Sequence, residues 1–411
     1  MPNSANVPSM PDTVFRRRVV HLGGYDPMSP DAYHRRFQRE LGRFHTTWNV
    51  SCDVSPLVSD EHDARWDVSA RGKGWLSQTR HVVLRWDDVI ETDRARSWLA
   101  RLPLGLMSFI DFIWHGALWG YLRLAWRYAG FFLYPFLLLG TLAAVAVFVA
   151  KDAVAVFAQS SGSTASLLVS VALAMALFAL LLRWLGRRLF LDHLVDDWIY
   201  ASQILRHGDK IVSQRIERLA AELVANQADD EGELLIVGHS LGAVHAVELI
   251  ERILALSPDG QPIRFASVGS SILKIGLHRG ALRLKQGMTR LAQSERVIWC
   301  EFHALNDVMN FYKCEPVSVL GLEGKPAMTR VVRFRAMLEP DYYRRMERNF
   351  FRLHCQFVSG NDRRAAYDYF MLLLGPFPME ALALSPEGAM PWIDESGGLT
   401  EAANPHLTRS A

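Results

Sequence analysis

Short apolar runs bounded by glycine or charge recur along the chain, at Val19–Leu22, Ala64–Ser69, His81–Trp86, Leu234–Val237, Ile263–Val268 and from Val297. Runs of this length, rich in Val, Ile and aromatic residues, predict buried strands. Thr47–Val54 has the same character, and Val331–Met337 alternates apolar residues with arginine, which predicts an outer strand. Between them lie stretches with a helical rhythm: Ser29–Phe44, capped by Ser29 or Asp31, then Asp192–Ala228, Leu241–Leu256 and Arg363–Leu374. Gly276–Ser294 is basic and reads as surface. Strand runs alternating with helical ones predict an α/β architecture, a mostly parallel sheet flanked by helices. The pattern leaves open how the strands between residues 47 and 86 pair.

Two apolar runs are too long for this scheme. Phe131–Ala150 carries no charge over 20 residues, and Ser166–Leu182 is almost as long before Arg183. At helical rise each is long enough to cross the hydrocarbon core of a bilayer. The short connection Lys151–Ala165 predicts a tight hairpin of two transmembrane helices, at about 131–150 and 166–184. Arg123 and Arg127 precede it and Arg183, Arg187 and Arg188 close it, while the connection carries only Lys151. By the positive-inside rule both termini are then cytoplasmic. Trp119, Trp126, Tyr128, Tyr134 and Trp184 sit where an aromatic belt belongs. Leu104–Tyr121 is apolar but interrupted by Asp111 and His115, which suits an interfacial helix.

Composition adds limits. A chain of 411 residues with net charge +2 and 50% hydrophobic residues has room for one large α/β domain plus an insertion, and shows no preference for nucleic acid. The four cysteines (Cys52, Cys300, Cys314, Cys355) are scattered without a C-x-x-C pair, so they predict neither a zinc site nor a disulfide framework. Met1–Asp12 is polar, lacks the apolar core of a signal peptide and reads as disordered; the Gly/Pro/Glu-rich tail, 383–411, reads the same way. The expected division is 13–100 and 191–382 for the body, with 101–190 as the inserted membrane segment.

Candidate chemistry centres on Gly238-His239-Ser240-Leu241-Gly242, directly after a buried strand and directly before a helix. Strand, G-x-S-x-G and helix in succession are the sequence form of the nucleophile elbow of an α/β-hydrolase. The glycines let the chain turn tightly enough to expose the Ser240 hydroxyl, and the helix start supplies amides for a developing oxyanion, that of Leu241 first. Gly23-Gly24-Tyr25 after the first strand offers a second donor, the amide of Tyr25 with Gly24 as its alternative. Gly269-Ser270-Ser271, all small, lets the chain pass close to the site. A serine hydroxyl needs a base, and the base a carboxylate to hold its tautomer. In this fold they follow the serine in the order carboxylate, then histidine. Asp307, on a turn after a strand, takes the first role, with Glu301 and Asp362 as rivals. His354 takes the second; His303 lies within a strand, His278 precedes Asp307, and His239 flanks the serine.

Together, the Gly238–Gly242 motif, the Asp307 turn and the late His354 resemble the lipase and esterase branch of the α/β-hydrolase superfamily. Gly23-Gly24-Tyr25-Asp26-Pro27, His354-Cys-Gln-Phe and Tyr367-Asp-Tyr-Phe are similar to bacterial membrane-anchored members of it, over about Arg16–Pro376. Gly-Gly-Tyr replaces the His-Gly pair more common at the oxyanion turn of soluble lipases. The resemblance implies an α/β-hydrolase fold interrupted by the hairpin, in the bacterial inner membrane. It further implies serine-dependent cleavage of a lipid-like ester or thioester at the cytoplasmic face, without metal or organic cofactor. Acyl transfer by the same acyl-enzyme, or a non-catalytic scaffold tethering partners, are the alternatives.

Overall fold

Among the described residues, nine strands form one sheet in the order β2-β4-β5-β1-β6-β7-β8-β9, with β3 beside β4. They are β1 (Arg16–Leu22), β2 (Ser51–Val54), β3 (Val58–Ser59), β4 (Asp63–Gly72), β5 (Trp75–Leu84), β6 (Glu233–His239), β7 (Ile263–Val268), β8 (Val297–Ala304) and β9 (Met328–Val332). This computed structural model describes residues 11–157, 163–186, 188–226 and 232–400. The disorder expected at the first ten residues and beyond Thr400, and the role of Arg187, lie outside them. From β5 through β1 to β9 every pairing is parallel; β2, β3 and β4 are antiparallel. All seven residues of β6 are buried, as its unbroken apolar run requires of a parallel strand covered on both faces.

Chain order reverses beside β1. The chain passes from β1 outward to the β2–β5 side, then returns at β6 and continues outward through β7, β8 and β9. In open α/β sheets, ligands bind at such a switch point, outside the carboxyl ends of the strands. In the β1–β6 register Leu22 stands opposite Gly238, so Gly23-Gly24 and His239-Ser240 leave the sheet side by side.

The chain divides into two compact units, one comprising the residues up to Ile90 and from Gly208, the other Glu91–His207. In the first unit the helix Pro30–Trp48 is capped by Ser29, whose hydroxyl accepts the Ala32 amide at 3.4 Å. It buries Phe37, Leu41, Phe44 and Trp48, and ends at Asn49 in the left-handed region, φ 55°. The helix thus runs four residues beyond Phe44, and β2 begins only at Ser51, not Thr47. Trp48 is claimed by the helix because its indole N–H reaches Asp368 at 2.9 Å. The expected strand Val331–Met337 is divided: β9 stops at Val332 and Phe334–Met337 is a helical turn, which buries Phe334 and Met337 three apart.

Further corrections have similar causes. The 192–228 stretch is two helices, Leu191–Arg206 in the second unit and Lys210–Ala225 in the first, parted at Gly208, whose φ is +68°. Arg363–Leu374 is helical only over Tyr369–Leu374, started by the Asp368 side chain. Leu282–Gln293 is a helix with Met288, Leu291 and Ala292 buried, so the basic Gly276–Ser294 segment is not wholly surface. The tail is not disordered up to Thr400. Met379–Leu384 is a helix, Trp392 and Ile393 join the core, and Gly397 accepts the Trp75 indole N–H at 2.9 Å.

Among the described residues the second unit is helical: Trp98–Trp114, Ala117–Leu124, Trp126–Phe157 and Ser163–Leu181, then a π turn over Leu182–Gly186 and the helix Leu191–Arg206. Two of its stretches, Trp126–Ala155 and Thr164–Gly186, are long and apolar enough to cross a membrane.

Candidate active site

β6 delivers Ser240 at the point where strand becomes helix. Ser240 has φ 54°, a left-handed conformation that a non-glycine residue adopts at a cost of about 1–3 kcal/mol and keeps only where its surroundings enforce it. Here they do. The Ser240 amide donates to Val268 O at 3.2 Å, and its carbonyl accepts from Ser271 N at 3.0 Å and Ala243 N at 3.2 Å. A Cβ on Gly242 would lie 2.0 Å from the Leu22 carbonyl oxygen, and one on Gly238 2.5 Å from Ala243 Cα. Only glycine lets the helix Gly242–Leu256 start hard against the end of β1. The Leu241 amide has no hydrogen-bond acceptor among the described residues, and it opens the helix whose dipole points its positive end here.

The turn after β1 passes directly over the serine. A Cβ on Gly24 would lie 2.9 Å from Ser240 Cβ and 3.4 Å from its Oγ. The Asp26 amide donates back to Gly24 O at 2.7 Å, which bends the chain tightly at Tyr25. The Tyr25 ring is buried edge-on against Trp86, with centroids 5.9 Å apart.

β8 delivers Asp307. Its Oδ1 accepts the Met309 amide at 2.9 Å and its backbone oxygen the Asn310 side-chain amide at 2.8 Å. Oδ2 is left to face His354, whose Nδ1 lies 2.7 Å away; both residues are 3% exposed. A carboxylate only accepts, so Nδ1 carries the proton and Nε2 presents a lone pair. Nε2 is buried and has no partner among the described residues. His354 ends the short helix Phe350–His354, after β9.

The serine and the histidine flank a common segment. Gly269, at φ 54°, turns the chain after β7 so closely that a Cβ there would lie 3.0 Å from His354 Cε1. Two residues on, Ser271 holds the Ser240 carbonyl, and its hydroxyl stands 3.5 Å from Ser240 Oγ. The His239 ring lies against His354, centroids 4.7 Å apart and tilted by 34°. Burial, then His354 nearby, holds His239 well below its ordinary pKa, so a neutral ring flanks His354.

The other candidates are placed elsewhere. His303 and Glu301 pair with each other inside β8, Nε2 to Oε2 3.3 Å, while His303 Nδ1 accepts the Lys313 amide. Asp362 is bound by Arg43 at 2.6 Å and by the Glu339 amide. His278 Nδ1 accepts the Gly280 amide at 2.9 Å.

Behind the Gly23-Gly24 turn lies a group that sequence reasoning did not find. His21 Nδ1 lies 2.9 Å from the Tyr369 hydroxyl, and burial, reinforced by Arg36, pushes His21 down to about 3. The His81 ring lies 4.7 Å from that of Trp66, tilted by 38°, with neither ring nitrogen bonded. The bond from His21 to Tyr369 joins residues 348 positions apart, and no local spacing announces it.

The arrangement is therefore a half-buried serine on a strained turn, under a glycine turn, with a histidine whose tautomer a buried carboxylate fixes packed against the same loop after β7. Such a set can remove a hydroxyl proton and return it to a leaving group. No family model, curated protein or solved structure matches the chain.

Proposed function

We propose that the chain is a membrane-anchored serine hydrolase of the α/β-hydrolase superfamily, cleaving a carboxylic ester or thioester of lipid-like character at the cytoplasmic face of the membrane. The observation that carries this reading is the combination of Ser240 at φ 54° with the buried Asp307–His354 pair at 2.7 Å. A strained serine and an oriented imidazole are what nucleophilic acyl transfer needs.

In this mechanism Ser240 Oγ attacks the substrate carbonyl carbon while His354 Nε2 takes the hydroxyl proton. The imidazolium is stabilised by Asp307, and the carbonyl oxygen, now negative, is held by amides at Leu241 and at the Gly24–Tyr25 turn. Collapse breaks the bond to the alcohol or thiol, which leaves with the proton from His354. Water, deprotonated by the same nitrogen, then releases the acid and restores the serine. The two apolar helices support membrane anchoring, and the arginines at their outer ends support a cytoplasmic body.

The test is a fluorophosphonate probe on the detergent-solubilised protein. It is expected to form an adduct on Ser240 alone, lost in Ser240→Ala and strongly slowed in His354→Ala. Absence of labelling from the folded wild-type protein would overturn the reading.

A further inference from the structure

The helices before the two long apolar ones have an inverted polarity. In the Trp98–Trp114 helix Arg101, Ser108 and Asp111 are buried, while Leu99, Leu106, Met107, Ile110 and Trp114 are exposed, Leu99 by 88% and Trp114 by 80%. In the next helix, Ala117–Leu124, Tyr121 is buried while Trp119 and Leu122 are exposed. Between residues 101 and 122 every exposed residue is apolar.

The buried polar groups are satisfied within the same unit. Arg101 forms a two-pronged pair with Asp196 at 2.7 and 2.8 Å, and Asp111 accepts from Ser202 at 3.1 Å and pairs with Arg206 at 2.8 Å. Gly105 lets the Trp98–Trp114 helix approach Leu191–Arg206 closely, since a Cβ there would meet Val195 Cγ1 at 2.7 Å.

In water this arrangement is backwards: soluble surfaces carry the charge and bury the leucine, and broad apolar patches mark contact surfaces. In a bilayer it is the expected order, because polar groups at membrane depth turn toward protein partners.

We infer that Trp98–Leu124 is a third membrane element, a bent re-entrant pair whose apolar face lies in the acyl chains of one leaflet. The occupant of the face is lipid rather than protein, because the segment leads directly into the first long apolar helix. A single residue, Ala125, separates Leu124 from Trp126. The two short helices are bent by 67° where they meet, so the second turns away from the direction of the first. At the bend the backbone donors are satisfied internally, His115 N by Asp111 O and Gly116 N by Ile113 O, both at 3.0 Å, so the break leaves these amides bonded where no water would be present. Arg123 in the last turn of the pair and Arg127 just beyond it, both exposed, then stand at the depth of anionic headgroups.

This inference rests on the membrane-anchored reading above, and its test separates the two. The full chain, with its four native cysteines changed to alanine, is placed in vesicles of phosphatidylethanolamine and phosphatidylglycerol. Single cysteines at Leu106, Met107 or Ile110 are compared with Leu168 and Val169 in the second long helix and with Lys325 on the first unit. A charged, membrane-impermeant maleimide is expected to label the first three about tenfold more slowly than Lys325→Cys, and as slowly as the helix controls. Labelling of the first three as fast as Lys325→Cys, with the helix controls still protected, would overturn the inference and leave the anchoring intact; fast labelling of all would overturn both. Rapid disulfide cross-linking of Met107→Cys between copies would assign the face to a second copy and refute the lipid contact. As an independent readout on folded protein, Trp114→Phe with Trp119→Phe should remove a large part of the tryptophan quenching by bromolipids, and unchanged quenching would count against the inference.

Discussion

Gly24→Ala isolates the contribution of the turn over Ser240. Gly24 does not have a positive φ, so alanine is conformationally allowed and the effect comes from contact alone. The new methyl would sit 2.9 Å from Ser240 Cβ. Carbon atoms rest about 3.5–4.0 Å apart, so one side must yield by close to 1 Å. Both are pinned, Ser240 by three backbone hydrogen bonds and Gly24 by the Asp26 amide. A displacement of about 1 Å at a reacting atom costs roughly 100-fold in rate, or about 2.7 kcal/mol of barrier. The assay is hydrolysis of a short p-nitrophenyl ester alongside the rate of fluorophosphonate labelling, each normalised to folded protein. Both rates should fall together while the thermal midpoint drops only modestly, since overpacking costs about 1–3 kcal/mol. Gly42→Ala is the control: its added Cβ meets nothing within 4 Å, and both rates should be unchanged. A Gly24→Ala variant within threefold of wild type (about 0.7 kcal/mol) would show that the turn does not press on Ser240.

Asp307→Asn should lower turnover by about four orders of magnitude without unfolding the site. Met309 N–H keeps a carbonyl oxygen at the Oδ1 position, so the new amide NH2 faces His354 Nδ1 and drives the proton onto Nε2; ester turnover near that of wild type would refute the assigned pairing. Acid should destabilise the first unit, because burial holds the His21 imidazole at about 3 while the unfolded chain takes up protons below about 6.5. Stability is thus complete above 6.5 and falls as pH drops toward 3, by about 2 kcal/mol at pH 5 for this histidine alone. His81 is shifted in the same direction by burial, then by His21 and His34; His81→Phe, which keeps the ring contact with Trp66, should flatten the dependence of the thermal midpoint between pH 7.5 and 5. An unchanged slope would refute the assignment.

Where local pattern decided structure, the sequence was a good guide. The buried strands β1 and β6–β8 stand where apolar runs predicted them, because a parallel strand covered on both faces needs such a run. The two long uncharged stretches were legible for the same reason, and helices capable of crossing a membrane occupy them. Boundaries failed where a distant partner outweighed local rhythm. Trp48 is helical through its bond to Asp368, 320 positions away. The tail past Ser385 has the composition of a disordered segment, yet Trp392 belongs to the core and Asp394 Oδ1 ties a turn by accepting the Ser396 and Gly398 amides. Composition reports the mean cost of ordering a segment, and a few buried aromatic anchors overturn it.

Ser240, Asp307 and His354 could be nominated from one sequence because a parallel sheet turns chain order into spatial order. β1, β6, β7, β8 and β9 are neighbours in that sequence and all point the same way. Their carboxyl ends therefore line one edge. β1 contributes the Gly24 turn, β6 Ser240, β7 Gly269 and Ser271, and β8 Asp307, while His354 comes from the segment after β9. Each residue is placed by the loop it ends on, and the contacts needed are between neighbouring loops. The inserted helices fall between β5 and β6, the one interval in which the chain must in any case leave one half of the sheet and begin the other. A connection there does not fix the register of any two neighbouring strands, since β5 and β6 are separated by β1. An insertion of more than a hundred residues can thus be carried at this point while Leu22 still stands opposite Gly238 and the serine still emerges beside the glycine turn.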